Sequence, residues 1–272
     1  MITALNNSRI KKVVQLNQKA KVRREEDVFV AEGRKMFLEA PVSKIREVYI
    51  SESFLSSVEE KTREECLDKL KHCPYETVSE EVFRKISDTK TPQGILCVVE
   101  QFHYHLEQFT YNIEENLTQK APLWILLEDL QDPGNLGTIL RTGEGAGITG
   151  VIMTRDSVDI YNPKTIRATM GSVYRVPFLY VDSMEHTIHS LQTQGIRVYA
   201  AHLEESRDYD ILDFTGGTAF LIGNEGNGLK RETADLADAY LKIPMCGQVE
   251  SLNAAVATSV LMYEAARQRR RV

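Results

Sequence analysis

The chain has 272 residues, a length that suits one large domain or two moderate ones. Its 42% hydrophobic and 26% charged residues are ordinary for a globular protein, and its net charge of −6 excludes a globally basic nucleic-acid binder. Four cysteines without a CxxC pair and six scattered histidines argue against a structural zinc site and a disulfide framework. There is neither a signal-peptide core nor an apolar run approaching about 18 residues, so we expect a cytoplasmic protein without a membrane segment.

The first part of the chain alternates helical and strand patterns. The predicted elements are, in order, a basic helix over residues 9–25, a strand at Val28–Gly33, a helix to about Glu39, a strand at Glu47–Ile50, helices at Glu59–Lys71 and Glu80–Ser87, and an apolar strand within residues 91–101. The stretch from Phe102 to Pro122 is polar, lacks periodicity and ends in proline. It predicts a linker at 106–120 between domains at 1–105 and 121–272.

The second part begins with LWILLE (Leu123–Glu128), an apolar run typical of a parallel strand that is covered on both faces. Further strands are predicted at 150–154, 176–181, 196–201 and 218–223, with helices at Leu136–Ala146 and near Glu185–Thr193. This alternation predicts an α/β domain with a mainly parallel sheet. Since ligands bind at the carboxyl ends of such strands, the loops after Leu127, Ile222 and Ile243 are the candidate sites.

The loop after Leu127 contains the turn residues DPGN. Asn135 is predicted to be the N-cap of the next helix, and Arg141 projects from that helix. Two interpretations explain these residues equally well: a helix N-cap followed by a surface arginine, and a functional site.

The loop after Ile222 places Asn224 and Glu225 among three glycines at positions 223, 226 and 228. This spacing does not match GxGxxG, and no Gly-Lys-Ser/Thr follows, so neither a dinucleotide fingerprint nor a P-loop is indicated. A strand–helix turn explains the glycines. It does not explain Glu225, because an acid flanked by bare backbone often holds a cationic or hydroxyl-bearing group.

The loop after Ile243 leads through ESLN into a helix rich in small residues. A serine N-cap at Ser251 explains one polar residue of this stretch. It does not explain Asn253, which is predicted to lie inside the first turn of an otherwise apolar helix. The free N–H groups of the helix start are donors for a ligand.

Taken in order, the segments QDPGNLGTILRT, LIGNEGNGL and IPMCGQVESLNAAVATSV resemble three motifs of the SpoU family of RNA ribose 2′-O-methyltransferases, in the SPOUT superfamily. The resemblance covers roughly Leu123 to Arg267. The N-terminal stretch NNSRIKKVVQLNQKAKVRREEDVFVAEG resembles the substrate-binding domain that precedes many members. That domain is a small α/β fold similar to ribosomal proteins that bind kinked RNA.

The resemblance implies a C-terminal SPOUT domain, with a parallel sheet and a trefoil knot, behind a small α/β RNA-binding domain. Knots are otherwise almost absent from proteins. It implies S-adenosylmethionine as the cofactor, bent within the knot, and a homodimer with the site at its interface. The cofactor-binding positions it implies are Gly223, Asn224, Ile243, Met245 and Leu252.

The implied reaction transfers a methyl group to a ribose 2′-hydroxyl, without a metal. Arg141 matches the catalytic arginine, which would bind the target phosphate and polarise the hydroxyl; that phosphate and a transiently neutral arginine are alternative proton acceptors. Asn135 and Glu225 would fix Arg141 and the loops. Ser251 and Asn253 would hydrogen-bond the ribose or the loop backbone.

The basic N-terminus has two interpretations. Residues 1–24 contain seven lysines and arginines and no acid. They form either a solvated helix face or a local patch that attracts phosphates. With the resemblance, they become candidate RNA contacts: Arg9, Lys11, Lys12, Arg23 and Arg24.

An N-terminal domain of about 100 residues favours rRNA as the substrate, since members that act on the tRNA D-loop usually carry short helical extensions. The alternatives are a tRNA ribose methyltransferase and a non-catalytic RNA-binding assembly factor. The intact polar positions of the three motifs argue against the latter. A nucleotide-dependent dehydrogenase is disfavoured by the glycine spacing.

Overall fold

The computed structural model of this protein describes residues 1–109, 121–202 and 206–270, leaving out the side chains of Glu107 and Phe109. These residues form two compact units. The first unit comprises Met1–Phe102 and Asp159–Tyr174, and the second comprises His103–Val158 and Arg175–Val272. Of the predicted linker at 106–120, Leu106–Phe109 form a 3-10 turn, and the rest lies outside the described residues.

The helices, in chain order, are α1 (Ser8–Gln18), α2 (Ala20–Glu26), α3 (Arg34–Glu39), α4 (Phe54–Ser57), α5 (Glu60–Leu70), α6 (Glu80–Ile86), α7 (Pro133–Ala146), α8 (Pro163–Thr169), α9 (Met184–Thr193), α10 (Arg231–Ala234) and α11 (Ala254–Arg269). The strands are β1 (Val28–Glu32), β2 (Ile45–Ser51), β3 (Tyr75–Val78), β4 (Ile95–Glu100), β5 (Leu123–Leu127), β6 (Gly150–Thr154), β7 (Phe178–Val181), β8 (Arg197–Ala201), β9 (Arg207–Asp208), β10 (Thr218–Ile222) and β11 (Ala239–Lys242).

The sheet of the first unit has the strand order β1-β4-β2-β3. β4 pairs antiparallel with β1 and β2, and β3 pairs parallel with β2. Strand β3 was not predicted, because its sequence YETV is short and only its last residue is buried. The predicted single helix at 9–25 is wrong: the extended backbone of Lys19 (φ −125°, ψ 110°) separates α1 from α2.

Apolar side chains on one side of this sheet form one hydrophobic core of the first unit. α1 contributes Ile10, Val13 and Leu16, spaced by three residues as expected for one buried helix face. They pack with Tyr49 of β2 and with the buried face of α6. Burial of this face, rather than the charge of α1, therefore fixes the helix in place.

Residues 159–174 complete the first unit although they lie between β6 and β7 in the chain. The ring of Tyr161 stacks on Phe29 of β1 with centroids 4.7 Å apart. Arg23 is only 4% exposed, and its guanidinium donates to Asp159 Oδ2 from Nη2 at 2.6 Å and from Nε at 3.1 Å. It also donates to the carbonyl of Leu16 at 2.6 Å, so it is held on both sides. Arg23 is therefore held inside the first unit, and its side chain is not exposed for the predicted RNA contact.

We expect Arg23→Met to lower the free energy of unfolding by about 2 to 3 kcal/mol, because it leaves the partly buried carboxylate of Asp159 without its partner. The matched control is Arg46→Met, which removes a surface ion pair of the same length: Arg46 Nε lies 2.6 Å from Glu100 Oε1, and Arg46 is 63% exposed. That variant should change stability by no more than about 0.5 kcal/mol. Chemical denaturation measures both, and equal losses would contradict the structural role of Arg23.

The seven-stranded sheet of the second unit has the order β7-β6-β5-β10-β8-β11-β9, and its strands pair in parallel. The predicted parallel α/β architecture is confirmed. β5, β6 and β10 are almost wholly buried, as the apolar runs in their sequences indicate. The threading of a knot is not tested by these pairings and stays a prediction.

The end of α11 is fixed by Arg269. Its guanidinium donates to the carbonyls of Ala121, Pro122, Phe214 and Gly216 at 2.7 to 3.0 Å. These carbonyls precede β5 and β10, so Arg269 ties the end of α11 to the starts of both strands. Within the described ranges, every helix is too short or too polar to span a bilayer.

Candidate active site

The site forms where the chain leaves β5 and β10, two adjacent parallel strands. β5 is followed by α7 and then β6 on one side, whereas β10 lies on the other side of β5. The loops after β5 and β10 therefore diverge, which is the arrangement that creates ligand-binding crevices in α/β sheets.

Glu225 joins these two loops. Its Oε2 accepts a hydrogen bond from the backbone N–H of Gln131 at 3.0 Å, and its Oε1 accepts from that of Asp132 at 2.9 Å. Oε1 also accepts from Asn135 Nδ2 at 2.9 Å. The carboxylate is thus committed to holding the β5 loop, as predicted in part. Within the described residues neither Glu225 nor Asn135 bonds to Arg141, so their predicted contact with the arginine is not observed.

Asn135 is not the N-cap of α7. Asp132 occupies that position, its carboxylate accepting from the backbone N–H of Asn135 at 2.7 Å, and Pro133 opens the helix. The missing N–H of proline makes it well suited to this first helical position. Asn135 lies within the first turn of α7, with its side chain turned to the site and only 9% of the residue exposed.

Asn253 is the N-cap of α11, so the prediction that Ser251 caps this helix is wrong. Asn253 Oδ1 accepts from the backbone N–H groups of Ala255 at 2.9 Å and Val256 at 3.3 Å. Its Nδ2 donates to Asn135 Oδ1 at 3.0 Å. A continuous hydrogen-bond chain therefore runs from Glu225 through Asn135 to Asn253 and fixes all three motif loops together.

The charge of Glu225 is set by these contacts. Burial raises the pKa of its carboxyl group, but hydrogen bonds from the Gln131 and Asp132 backbone and from Asn135 outweigh burial. The pKa therefore lies below its ordinary value, and the group is ionised at neutral pH.

This lowered pKa predicts an acid-sensitive loop. Because the folded-state pKa is depressed, the stabilisation by Glu225 is present above its ordinary pKa of about 4.5 and is lost as pH falls through the folded value. We expect Glu225→Gln to melt at a lower temperature than wild type at pH 7, with the difference shrinking below about pH 4.5. Thermal melts between pH 7 and pH 3 measure this, and a difference independent of pH would contradict it.

A cavity of about 540 Å³ opens at the carboxyl ends of β8, β10 and β11. This volume is in the range of cofactor sites. Eight predicted site residues line it: Gly223, Asn224, Glu225, Ile243, Met245, Ser251, Leu252 and Asn253. Sequence reasoning missed Ala201 and His202, which line it from the end of β8. The rule that ligands bind at strand ends could have found them, but only the sheet order shows that β8 lies beside β10.

Gly223 shapes the cavity wall. A Cβ at this position would lie 2.2 Å from the carbonyl carbon of Gly228 and 2.3 Å from Leu229 N, so no larger residue fits. Asn224 and Gly228 exchange backbone hydrogen bonds at 3.0 and 2.9 Å, and the Asn224 side chain accepts from the N–H groups of Gly226 and Asn227. The result is a tight turn that presents bare backbone to a ligand.

Arg141 does not line the cavity. It is exposed on α7, and within the described residues its side chain has no hydrogen bond or ion pair. α7 and α11 run side by side in the same direction: Asn135 contacts Asn253 near their starts, and a Cβ on Gly145 would lie 2.9 Å from the Tyr263 hydroxyl near their ends. An exposed guanidinium without a partner among the described residues is suited to binding an anionic group of a substrate.

The other predicted RNA contacts lie at the surface of the first unit. Arg9 pairs with Glu47 and Glu76, and Lys12 Nζ lies 2.6 Å from Glu26 Oε2. Lys11 and Arg24 are exposed. None of these four positions is excluded from contacting RNA, unlike Arg23.

The second unit is an α/β domain with a cavity at the carboxyl ends of its parallel strands, which is the usual position of ligand sites in such sheets. The SpoU rRNA Methylase family matches residues 122–263, and the MRM3-like substrate binding domain matches residues 7–97. The chain therefore belongs to the SpoU methylase family, and the predicted family and enzyme class are confirmed.

Three relatives resemble nearly the whole chain. The 23S rRNA (guanosine(2553)-2′-O)-methyltransferase RlmP of Bacillus subtilis is 29% identical over 264 residues, covering 96% of this chain and 97% of that protein. An AdoMet-bound rRNA methyltransferase from Sinorhizobium meliloti has 31% identity and a TM-score of 0.80, covering 98% and 97%. The SpoU methyltransferase AviRb from Streptomyces viridochromogenes, in complex with AdoMet, has 25% identity and a TM-score of 0.81, covering 97% and 98%.

Proposed function

We propose that this protein methylates a ribose 2′-hydroxyl of 23S rRNA in the cytoplasm. The observation that carries the proposal is the hydrogen-bond chain Glu225–Asn135–Asn253, which joins the three motif loops beside a cofactor-sized cavity. Support comes from the relative RlmP, which is named for this reaction and is similar over the full chain, including the N-terminal unit.

S-adenosylmethionine is the cofactor, as predicted from the sequence and as found in two relatives. The cavity fits it in two respects. Its volume of about 540 Å³ suits a nucleoside-sized ligand. Gly223 and the turn after it present backbone groups that a side chain would cover. We assign Gly223, Asn224, Ile243, Met245 and Leu252 to cofactor binding.

When bound, S-adenosylmethionine supplies an electrophilic methyl group on a sulfonium. The side chains of this chain bind and orient the RNA. Arg141 holds the phosphate next to the target ribose through its planar, bidentate guanidinium and polarises the 2′-hydroxyl. Ser251 lies at the cavity wall, where its hydroxyl can orient the ribose. Glu225, Asn135 and Asn253 fix the loops, so that much of the rate comes from alignment of the reacting atoms.

The active form that we propose is a homodimer. Val256 and Tyr263 of α11 are 48% and 47% exposed, and they lie seven residues apart on one face of the helix. This face flanks α7, which carries the exposed Arg141. A second copy that covers the apolar face would lie against the helix that carries Arg141. Analytical ultracentrifugation tests this, and a monomer that retains full activity would contradict it.

The N-terminal unit selects the RNA in this proposal, through shape and exposed nucleotides. Its match to a substrate-binding domain supports this assignment, and the full-length similarity to the 23S rRNA methyltransferase RlmP favours rRNA over tRNA. Lys11 and Arg24 are the predicted cations with exposed side chains and no ion pair among the described residues. They would contact the RNA backbone and give a salt-dependent affinity.

The testing experiment measures methyl transfer from labelled S-adenosylmethionine to rRNA, to tRNA and to isolated ribosomal subunits, all from cells that lack this protein. Label in rRNA, resistant to alkali at one linkage and absent with Arg141→Ala, supports the proposal and locates the nucleotide. Label in tRNA alone would establish the alternative tRNA enzyme. Cofactor binding without transfer to any of these substrates would favour the non-catalytic assembly factor.

A further inference from the structure

Asp129 lies just beyond β5 and does not line the cavity, yet it makes several hydrogen bonds and an ion pair at the site. Its backbone is left-handed, with φ of 54°. Few residues other than glycine adopt this conformation, and aspartate and asparagine tolerate it best. Left-handed residues that are held by their surroundings are concentrated at functional sites. The cofactor and RNA contacts proposed for this protein do not account for a left-handed residue at position 129.

The carboxylate of Asp129 has two partners on different elements. Oδ1 accepts from the hydroxyl of Thr154, at the end of β6, at 2.8 Å. Oδ2 lies 2.7 Å from the ammonium of Lys230. The backbone N–H of Asp129 donates to the same Thr154 oxygen at 2.9 Å, so the hydroxyl closes a small ring of hydrogen bonds.

The backbone carbonyl of Asp129 provides a third contact. It accepts from Asn224 Nδ2 at 2.8 Å, and the left-handed backbone sets the direction in which it points. Asn224 begins the turn that lines the cavity, and Lys230 lies two residues after Gly228, where that turn ends. Asp129 therefore holds both ends of the segment Asn224–Lys230. The neighbouring Glu128, which is 4% exposed, supports the same end by accepting from the backbone N–H of Lys230 at 2.9 Å.

We propose that Asp129 is a positioning residue for S-adenosylmethionine, acting through the turn Asn224–Lys230, with Lys230 as its partner. The inference rests on the proposed function, because that turn is the part of the cavity wall that would meet the cofactor. A turn held in its binding conformation loses less conformational entropy when the ligand binds, which raises affinity. The expected effect is on cofactor binding and acts through the turn, since Asp129 does not line the cavity itself.

The charges of the pair match this role. The hydrogen bond from Lys230 lowers the pKa of Asp129, although burial opposes it, and the same bond raises the pKa of Lys230. Both groups are therefore charged at neutral pH. Lys230 is 60% exposed, however, so the ion pair alone contributes little. Most of the effect should come from the Thr154 contact and from the carbonyl set by the left-handed backbone.

Four variants separate these contributions. Asp129→Ala removes the carboxylate and disfavours the left-handed backbone, and we expect the Kd for S-adenosylmethionine to rise about tenfold. Asp129→Asn keeps the preference for the left-handed backbone and an oxygen that accepts from the Thr154 hydroxyl. Lys230→Met removes only the ion pair. Each of these two variants should raise Kd about threefold at most. Asp129→Gly permits the left-handed backbone but has no carboxylate, so its Kd should lie below that of the alanine variant. The double variant of Asp129→Asn and Lys230→Met should equal either single one, because both remove the same pair.

Calorimetric titration with S-adenosylmethionine gives Kd, and thermal melts of the full-length protein give its stability. The activity assay gives kcat at saturating cofactor. The matched control is Asp182→Asn, which removes a surface ion pair of similar length: Asp182 Oδ1 lies 2.8 Å from Arg155 Nε. The control should leave Kd unchanged, and the Asp129 variants should keep kcat within about twofold. Lower melting temperatures with unchanged Kd would overturn the inference, since a merely structural residue behaves that way. If wild type bound no S-adenosylmethionine, the proposed function would fail as well.

Discussion

Arg141→Ala is expected to lower kcat for RNA methylation by about 100-fold to 1,000-fold, the cost typical of removing one preorganised charged donor from a transition state. The Kd for S-adenosylmethionine should stay within about twofold of wild type, because Arg141 lies outside the cavity wall. Arg141→Lys keeps the charge but not the planar two-pronged donor, so it should recover only part of the rate.

The matched control for this prediction is Arg155→Ala, which removes an exposed arginine of the same unit that pairs with Asp182. It should leave kcat and Kd unchanged. Single-turnover methyl transfer to rRNA separates the chemical step from product release and gives the comparison directly. Near-normal turnover of Arg141→Ala would show that another group polarises the hydroxyl.

Gly223→Ala is expected to lower the affinity for S-adenosylmethionine by about 10-fold to 100-fold, because overpacking that shifts the turn costs about 1 to 3 kcal/mol and about 1.4 kcal/mol corresponds to tenfold in Kd. The added Cβ would lie 2.2 Å from the carbonyl carbon of Gly228, and the obstacle is backbone, which cannot rotate away as a side chain can. The turn must therefore shift. Overpacking of this kind should also lower the free energy of unfolding by about 1 to 3 kcal/mol.

Gly216→Ala is the control for this steric argument, since a Cβ there meets nothing within 4 Å. It makes the same chemical change in the same unit, away from the cavity. Calorimetric titration with the cofactor and thermal melts of both variants give the comparison. If Gly223→Ala bound the cofactor as tightly as Gly216→Ala, the close approach of residues 223 and 228 would not matter for binding.

The first unit is built from two separate stretches of the chain, and this limits what a deletion of its N-terminal part can test. Residues 159–174 belong to it, including the buried Tyr161 and Tyr174. Deletion of residues 1–100 would therefore expose these side chains, and loss of activity in such a truncation would not report on RNA selection alone. Substitution of the exposed Lys11 and Arg24 is the cleaner test, because it leaves the packing intact.

The sequence by itself determined the parallel α/β architecture of the second unit. Apolar runs such as LWILL are buried on both faces, because a strand that is covered on both sides carries apolar residues at every position. It also determined the cavity wall, since glycines and polar residues directly after buried strands stand at strand ends wherever the strands lie in the sheet. Of the ten catalytic and cofactor-binding residues that the resemblance to the SpoU motifs implies, eight line the cavity.

Only the tertiary structure decided which residue does what. Asn135 and Ser251 both looked like helix caps, but capping depends on backbone angles at one residue, and Asp132 and Asn253 hold those positions. Arg23 looked like an RNA contact, yet it is buried against Asp159, 136 residues away in the chain. Partners so distant leave no local pattern in a sequence, because a side chain's role is set by what folding brings next to it.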